Sequence, residues 1–349
     1  MAAHRGNMKA QVLQTITDLQ HNPEPLVFCE REIPLPGPCE LLLRVRACGV
    51  CHTELDEIEG RTPPPEFPVI PGHQVVGRVE YCGTGVTAHS VGDRVGVAWI
   101  FSACGHCGFC QRGLENLCAD FQATGRDADG GYAQYMVVPE DFACTIPESL
   151  DDIESAPLLC AGAIGYRSLQ LTALRNGEPL GLTGFGGSGH LVLKLARHLY
   201  PDSEIFIFAR NPQEQEFGID LGAAWAGDTT DTPPTDLQAV IDTTPVWRPV
   251  LAAMEHLKPG GRLVINAIRK EDTDRDLLAE LDYPRHLWLE KEIKSVANVC
   301  RSDVLEFLKL AAELDIRPRV EIYPLEEANR ALIDLKSGAV RGAKVLAID

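Results

Sequence analysis

The sequence predicts a two-domain α/β protein, with an all-β barrel or sandwich in its first part and a doubly wound parallel sheet in its second. Short β-type runs separated by turn residues fill about the first 150 residues. From about residue 160, helices and strands alternate, which is the pattern of a parallel sheet. A glycine-rich loop between one of these strands and the next helix supports the same division.

The β-type runs of the first part are LLLRVRACGV, VVGRVEYCG and DRVGVAW. In the second part, the apolar spacing predicts a helix over 189–200, and buried strands are expected over 204–208 and 238–242. Towards the C-terminus we expect two amphipathic helices, 303–314 and 325–337, followed by a strand with the sequence AKVLAI. Two domains fit this order best, with the C-terminal end returning to the first domain.

The composition excludes several classes of protein. With 349 residues, 45% of them hydrophobic, the chain is long enough to bury a substantial core. The 32 Lys and Arg residues against 50 Asp and Glu residues give a net charge of −18, which argues against nucleic-acid binding. No apolar run approaches the ~18 residues of a membrane span, and the first residues lack the apolar segment of a secretory signal. We therefore expect a cytoplasmic protein whose twelve cysteines bind metal or do chemistry.

Four closely spaced cysteines carry the most specific signal. They form the pattern C-x2-C-x2-C-x7-C and are Cys104, Cys107, Cys110 and Cys118. Four thiolates on a tight loop close a tetrahedral shell around zinc and leave no open position, so we expect a structural zinc site. The alternatives are an iron–sulfur cluster or buried cysteines without a ligand. A zinc ribbon that contacts nucleic acid is disfavoured by the acidic composition.

A second set of metal-ligand types is dispersed along the chain. Cys51 lies in CGVCHTEL, His73 in PGHQVVG and Cys160 in PLLCAGAIGY. Two thiolates and one imidazole make a zinc site with an open fourth position, which is the catalytic pattern. Taken singly, each cysteine would be interpreted as a core residue and the histidine as a hydrogen-bonded structural residue.

The glycine-rich loop has the form G-x-G-x-x-G and joins a predicted strand to a predicted helix. Its backbone and the helix N-terminus would bind a dinucleotide pyrophosphate. The loop residues are Gly184, Gly186, Gly187, Ser188 and Gly189. An NAD-binding chain would carry an acidic residue at the tip of the next strand, where this chain has Ala209 and Arg210. Because a guanidinium group pairs well with phosphate, we expect NADP(H) to be favoured over NAD(H).

Together, these motifs resemble the zinc-dependent alcohol dehydrogenases of the medium-chain dehydrogenase/reductase superfamily. The motifs CGVCHTE, PGHQVVG, CGHCGFC, PLLCAGAIGY and GFGGSGH occur in the family's order, and the resemblance covers essentially the whole chain. It implies a GroES-like catalytic domain over 1–160 and 296–349 and a Rossmann domain over 161–295. It also implies two zinc ions per subunit, a small-molecule alcohol or aldehyde as substrate, and a homo-oligomer, either a dimer or a tetramer.

The resemblance also assigns roles to single residues. Cys51, His73 and Cys160 match the catalytic zinc ligands, and the four-cysteine lobe matches the structural zinc site. Other positions match residues around the reacting atoms, namely Thr53 as the hydroxyl that starts the proton relay, Glu54 as the partner of the zinc-binding histidine, His52 near the cofactor pyrophosphate and Trp99 in the substrate pocket.

Three positions depart from the family's pattern. Gln74 replaces a usual Glu near the metal, Asp56 stands where a relay His is often found, and Ala209-Arg210 replaces the acid of NAD-preferring members. None of these changes removes a metal ligand, so we expect catalysis to survive. Two other readings stay open, a non-catalytic nucleotide-sensing or structural relative and a zinc-free quinone or enone reductase. The intact set of Cys51, Thr53, His73 and Cys160 disfavours the first. The four-cysteine lobe and the zinc ligands, which zinc-free reductases lack, disfavour the second.

Overall fold

The computed structural model of the chain describes residues 6–186, 188–338 and 342–349. The chain divides into two compact units, residues 1–163 with 299–349 and residues 164–298. The limits expected from the sequence, at 160 and 296, differ from these by a few residues. Within the described ranges, none of the helices is long and apolar enough to cross a membrane.

The regular elements are as follows, in chain order. The strands are β1 (Asn7–Leu13), β2 (Leu26–Glu32), β3 (Glu40–Val50), β4 (Gln74–Cys82), β5 (Arg94–Val97), β6 (Ile100–Ser102), β7 (Gln122–Ala123), β8 (Tyr135–Pro139), β9 (Ala143–Thr145), β10 (Leu180–Thr183), β11 (Ile205–Phe208), β12 (Trp225–Gly227), β13 (Leu237–Asp242), β14 (Leu257–Ile265), β15 (Glu292–Ser295), β16 (Val320–Pro324) and β17 (Ala343–Ala347). The α-helices are α1 (His52–Ile58), α2 (Asp152–Pro157), α3 (Ala163–Thr172), α4 (Gly189–Leu199), α5 (Pro212–Asp220), α6 (Arg248–Glu255), α7 (Arg301–Glu313) and α8 (Ala328–Ser337).

The first unit is built on a mixed sheet with the strand order β16-β17-β3-β4-β5-β9, and β8 pairs with β3. Strand β3 is central because it pairs antiparallel with β4, β8 and β17. Alternate residues of these strands, such as Leu41, Leu43 and Val45, point into the core and are fully buried. The C-terminal strand β17 pairs antiparallel with β3 and so belongs to the same sheet.

The second unit is a parallel six-stranded sheet with the order β12-β11-β10-β13-β14-β15. Numbered from its own first strand, this is the order 3-2-1-4-5-6 of a doubly wound dinucleotide-binding sheet. The order reverses between β10 and β13, whose carboxyl ends therefore face a crevice where ligands bind in such folds. The predicted fold class, a β-rich unit followed by a parallel-sheet unit, is confirmed.

Candidate active site and metal centres

The pairing of β3 with β4 brings Cys51 and His73 together. Gly49 faces Gln74 in the antiparallel register, and Cys51 follows β3 directly while His73 precedes β4 directly. A Cβ atom at residue 49 would lie 2.6 Å from Oε1 and 2.9 Å from Cβ of Gln74, so any larger residue there would require Gln74 to shift. The β3–β4 register therefore sets the positions of both candidate ligands.

Cys160 completes the group. It lies on a π-helical turn, Leu158–Gly162, that continues α2. The ligand atoms of Cys51, His73 and Cys160 all lie within 4.8 Å of one another. Three residues that span positions 51 to 160 of the sequence therefore form one cluster, called the candidate catalytic trio, or the trio, below.

Glu54 orients the histidine of the trio. Its Oε1 lies 2.6 Å from Nδ1 of His73, and its Oε2 accepts a hydrogen bond from the backbone N–H of Cys51 at 2.7 Å. One carboxylate thus caps α1 and fixes the ring of His73. The other ring nitrogen, Nε2, is buried and has no hydrogen-bond partner among the described residues. An orphaned imidazole nitrogen beside two sulfur atoms fits a metal ligand.

The electrostatics of the trio also fit a bound cation. The hydrogen bond with Cys160 and the nearby His73 lower the pKa of the Cys51 thiol well below its usual value, although burial opposes this shift. The same contact with Cys51, together with burial, raises the pKa of Cys160. The lowered pKa favours the thiolate form of Cys51, which is the form that binds metal, and a divalent cation beside this half-buried sulfur atom would compensate its charge.

The four cysteines of the second motif converge in the same way, with all four Sγ atoms within 4.8 Å of one another. The Sγ atom of Cys110 lies 3.9 Å from that of Cys104 and 3.5 Å from that of Cys107. A tetrahedron with arms of about 2.3 Å has edges of roughly 3.8 Å, so these spacings fit a Zn–thiolate shell. Residues 104–118 are called the cysteine lobe below.

Two backbone N–H groups in the cysteine lobe donate hydrogen bonds to cysteine sulfur atoms. The N–H of Cys107 donates to Sγ of Cys104 at 3.3 Å, and the N–H of Cys110 donates to Sγ of Cys107 at 3.5 Å. This second bond is the main cause that lowers the pKa of Cys107 to about 6. Partial burial and the contact with Cys107 raise the pKa of Cys110 to about 12. One thiolate is therefore present at neutral pH, and a metal ion would displace protons from the others.

The glycine-rich loop joins β10 to α4, as the sequence predicts, and places Gly184, Gly186, Ser188 and Gly189 before or at the helix N-terminus. Gly187 lies outside the described residues. Gly184 has φ +79°, and a Cβ atom there would lie 2.6 Å from Oγ1 of Thr243. A glycine is therefore required where the chain turns at the end of β10.

A cavity of about 710 Å³ opens at the carboxyl ends of the strands of the second unit. It is lined by Gly184 after β10, by Ala209 and Arg210 after β11, and by Thr244 after β13. Arg248, on α6, lines the same cavity. The residues at the tip of β11 thus reach the crevice at which nucleotides bind in this type of sheet.

The other predicted residues take varied positions. His52 is exposed and begins α1, whereas Asp56 on the same helix is buried and forms an ion pair with Arg61. Gln74 is buried at the start of β4. Trp99 is half-buried, with its ring centroid 4.9 Å from that of Phe121.

Comparison with known proteins identifies the family. The family model for the alcohol dehydrogenase GroES-like domain matches residues 37–148. A probable alcohol dehydrogenase, AdhA, of Mycobacterium tuberculosis is 45% identical over 93% of this chain and 93% of its own length. The chain belongs to the zinc-dependent alcohol dehydrogenases of the medium-chain superfamily. As a member of this family, it is an oxidoreductase that acts on alcohols.

Other relatives agree with this membership. An alcohol dehydrogenase of Geobacillus stearothermophilus is 33% identical over 98% of this chain and all of its own length. Among solved structures, a cinnamyl alcohol dehydrogenase of Sorghum bicolor matches with a TM-score of 0.85, 27% identity and 98% coverage of both chains. A cobalt- and zinc-bound alcohol dehydrogenase of Pyrobaculum aerophilum matches with a TM-score of 0.84 and 26% identity, over 98% of this chain and 100% of that chain.

Two features of this alcohol dehydrogenase have no counterpart in the sequence-based predictions. Lys270 forms a buried ion pair with Asp242, and its Nζ also donates to the carbonyl oxygens of Thr244 at 2.7 Å and Val246 at 3.0 Å. It therefore holds in place the loop of Thr244 to Val246, which lines the cavity at the carboxyl ends of the strands. Glu57 is buried on α1. Neither residue lies in a recognisable motif, and the ion pair spans 28 positions, so only the three-dimensional structure reveals them.

Proposed function

We propose that this alcohol dehydrogenase catalyses the reversible oxidation of a primary or secondary alcohol to the aldehyde or ketone, with zinc held by the trio and NADP(H) as the hydride carrier. The observation that carries this proposal is the convergence of Cys51, His73 and Cys160 around the orphaned Nε2 atom of His73. We further propose that the cysteine lobe holds a second, structural zinc ion.

Zinc and the nicotinamide, when bound, would supply a Lewis acid for the substrate oxygen and a hydride acceptor or donor. The residues of the chain position and deprotonate the substrate. The Oγ1 atom of Thr53 lies 3.5 Å from Sγ of Cys51, which places the hydroxyl beside the metal ligands. There it accepts the proton of the substrate hydroxyl and passes it outward. Two residues are candidates for the outer step of the proton relay. They are His52, which is exposed, and Asp56, which forms an ion pair with Arg61.

An absorbance assay at the nicotinamide band tests the proposed function. NADPH and NADH are compared with a panel of aliphatic and aromatic aldehydes, with and without a zinc chelator. We expect turnover that the chelator removes, because the trio then loses its cation. Absence of turnover with both cofactors, in protein shown to hold two zinc ions, would favour the non-catalytic relative instead. Turnover that a chelator leaves unchanged would contradict the zinc mechanism.

The preference for NADP(H) rests on Arg210, an exposed guanidinium at the rim of the nucleotide cavity. Replacing Arg210 by alanine should lower kcat/KM for NADPH about tenfold to a hundredfold, the value of a charge-assisted hydrogen bond, and leave NADH nearly unchanged. Arg197→Ala is the control, because Arg197 bonds the carbonyl of Leu221 and does not line the cavity. An equal loss with both cofactors would count against a role in phosphate recognition.

We also propose that the protein is a cytoplasmic homo-oligomer. None of the twelve cysteines, all of which fall within the described ranges, forms a disulfide, in keeping with a reducing compartment.

Strand β15 lies at the edge of its sheet and is exposed along its length. Large apolar side chains are exposed on and before it, with Tyr283 59%, Trp288 55% and Ile293 45% exposed. An exposed edge strand with apolar neighbours is a surface that a second copy would cover.

A further inference from the structure

Glu57 is a buried carboxyl that the proposed mechanism leaves unused. The residue is 2% exposed, and its Oε1 atom has no hydrogen-bond partner in the part of the chain that the structure describes. Burying a carboxyl without a partner costs stability, because its lost hydration is not replaced. Native proteins keep few such groups, and those that remain point to sites where a ligand completes the hydrogen bonding.

The position of Glu57 on α1 places it next to the trio. It follows Glu54 by three residues and Thr53 by four, so the three side chains share one face of the helix. Glu54 contacts His73, and Thr53 contacts Cys51, so this face is turned towards the trio. Burial and then the charge of Glu54 raise the pKa of Glu57 well above its usual value. The carboxyl keeps its proton to higher pH and is therefore able to donate as well as to accept.

The positive charge of Arg126 opposes part of this upward shift in the pKa of Glu57. Arg126 lines a cavity of about 640 Å³ in the first unit, together with Phe121 and with Pro65, Glu66, Pro68 and Val69. Its Nε donates to the carbonyl oxygen of Pro63 at 3.4 Å. Phe121 packs on Trp99, the residue expected to line the substrate pocket. The residue that the sequence assigns to the substrate pocket therefore packs on a wall of this cavity.

Thr62 and Trp99 also carry buried polar side-chain atoms. Oγ1 of Thr62 and Nε1 of Trp99 are buried and unpaired within the described residues. Thr62 folds back on α1, because its N–H donates to the carbonyl of Asp56 at 3.1 Å. The carbonyl of Trp99 accepts from the N–H of Thr124 at 2.8 Å, two residues before Arg126. Donors and acceptors without partners thus accompany Glu57 on the segments around it.

We propose that Glu57 binds a second polar group of the substrate, so that this enzyme selects alcohols that carry a second hydroxyl group over simple alkanols. This inference rests on the proposed function of the same site. A second hydroxyl would donate to, or accept from, the carboxyl of Glu57 while the first occupies the reacting position beside Thr53. A simple alkanol would leave the carboxyl buried and unpaired, and a site built to bond a hydroxyl discriminates strongly against the analogue that lacks it.

Butane-1,4-diol and butan-1-ol have equal chain lengths and differ by one hydroxyl group, so their kcat/KM ratio tests the inference. We expect the wild-type holoenzyme to favour the diol, and Glu57→Leu to lower the diol-to-alkanol ratio about tenfold to a hundredfold. Glu57→Gln keeps an oxygen acceptor and should hold the ratio within about threefold of wild type.

Glu115→Gln is the matched control, since Glu115 is also buried and has one unpaired oxygen but lies in the cysteine lobe. Its ratio should equal that of the wild type.

A wild-type enzyme without diol preference, or a Glu57→Leu variant with an unchanged ratio, would overturn the inference while leaving the alcohol dehydrogenase activity intact. If no alcohol is oxidised at all, the proposed function itself fails.

Thermal melting separates the role of Glu57 in binding from a structural one. Loss of an uncompensated buried carboxyl should leave the melting temperature of Glu57→Leu at or above the wild-type value. If Glu57→Leu does not fold, Glu57→Met is measured on the same pair of substrates.

Discussion

Replacement of His73 by asparagine is expected to lower kcat/KM for alcohol oxidation by a factor of about a thousand or more, and to remove one zinc ion per chain. The imidazole Nε2 is one of three ligand atoms in the trio, and a Lewis acid contributes several kcal/mol to the stabilisation of developing charge, at 1.36 kcal/mol for each factor of ten. Steady-state kinetics and elemental analysis of the same preparation measure both effects.

The matched control for this prediction is His21→Asn, because the His21 side chain is 83% exposed and pairs only with nearby Asp18 in the described structure. We expect this control to keep both zinc ions and wild-type kinetics. Circular dichroism of the His73 variant verifies that it is folded. Two retained zinc ions together with normal turnover in His73→Asn would rule out the assignment of His73 as a ligand.

Replacement of Cys107 by serine is expected to remove the other zinc ion and to lower the melting temperature by about 10 °C or more, with a smaller effect on kcat/KM than the loss of His73. The cysteine lobe contains only short 3₁₀ turns, at Cys110–Arg112 and Glu115–Leu117, within residues 104–118. We therefore expect the conformation of the lobe to depend on the proposed ion, because structural zinc supplies folding free energy directly. Differential scanning calorimetry and zinc analysis measure the change.

Acidification should have the same effect on the wild-type lobe. In the metal-free lobe the pKa of Cys107 is lowered to about 6, so its thiolate is present at neutral pH, and a bound ion would lower this pKa further. As the pH falls, protons compete with the metal, and stability is lost towards low pH. Cys39→Ser serves as the control, since Cys39 is exposed and lies outside the lobe. Unchanged melting and zinc content in Cys107→Ser would contradict the structural role.

The two candidate metal centres differ in how far the sequence predicts them. The cysteine lobe is contiguous, so the spacing of its four thiols already implies convergence. The trio is different, because Cys51 and His73 meet only through the β3–β4 register and Cys160 arrives on a separate turn. For these residues, the motifs and the resemblance carried the prediction, and the structure supplies the geometry.

Other features of the site are invisible to the sequence for physical reasons. Helix α1 has seven residues and its sequence HTELDEI is rich in acids, so its periodicity is too short to indicate a buried helix. A glutamate in such a segment would ordinarily be interpreted as a solvated surface residue. The burial of Glu57 results from packing around the whole helix, and the ion pair of Lys270 with Asp242 results from a distant loop closing over a strand end. Both depend on tertiary structure alone.

The discontinuity of the first unit has a consequence for the order of events during translation. Strand β17 pairs with the end of β3, where Lys344 faces Val50, the residue immediately before Cys51. The second unit, residues 164–298, is continuous and leaves the ribosome before β17 is made. Until β17 is made, the end of β3 next to the trio lacks this strand partner. The same would hold for a chain that a premature stop codon ends before β17. Such a chain would hold every proposed catalytic side chain and expose an unpaired strand edge prone to aggregation.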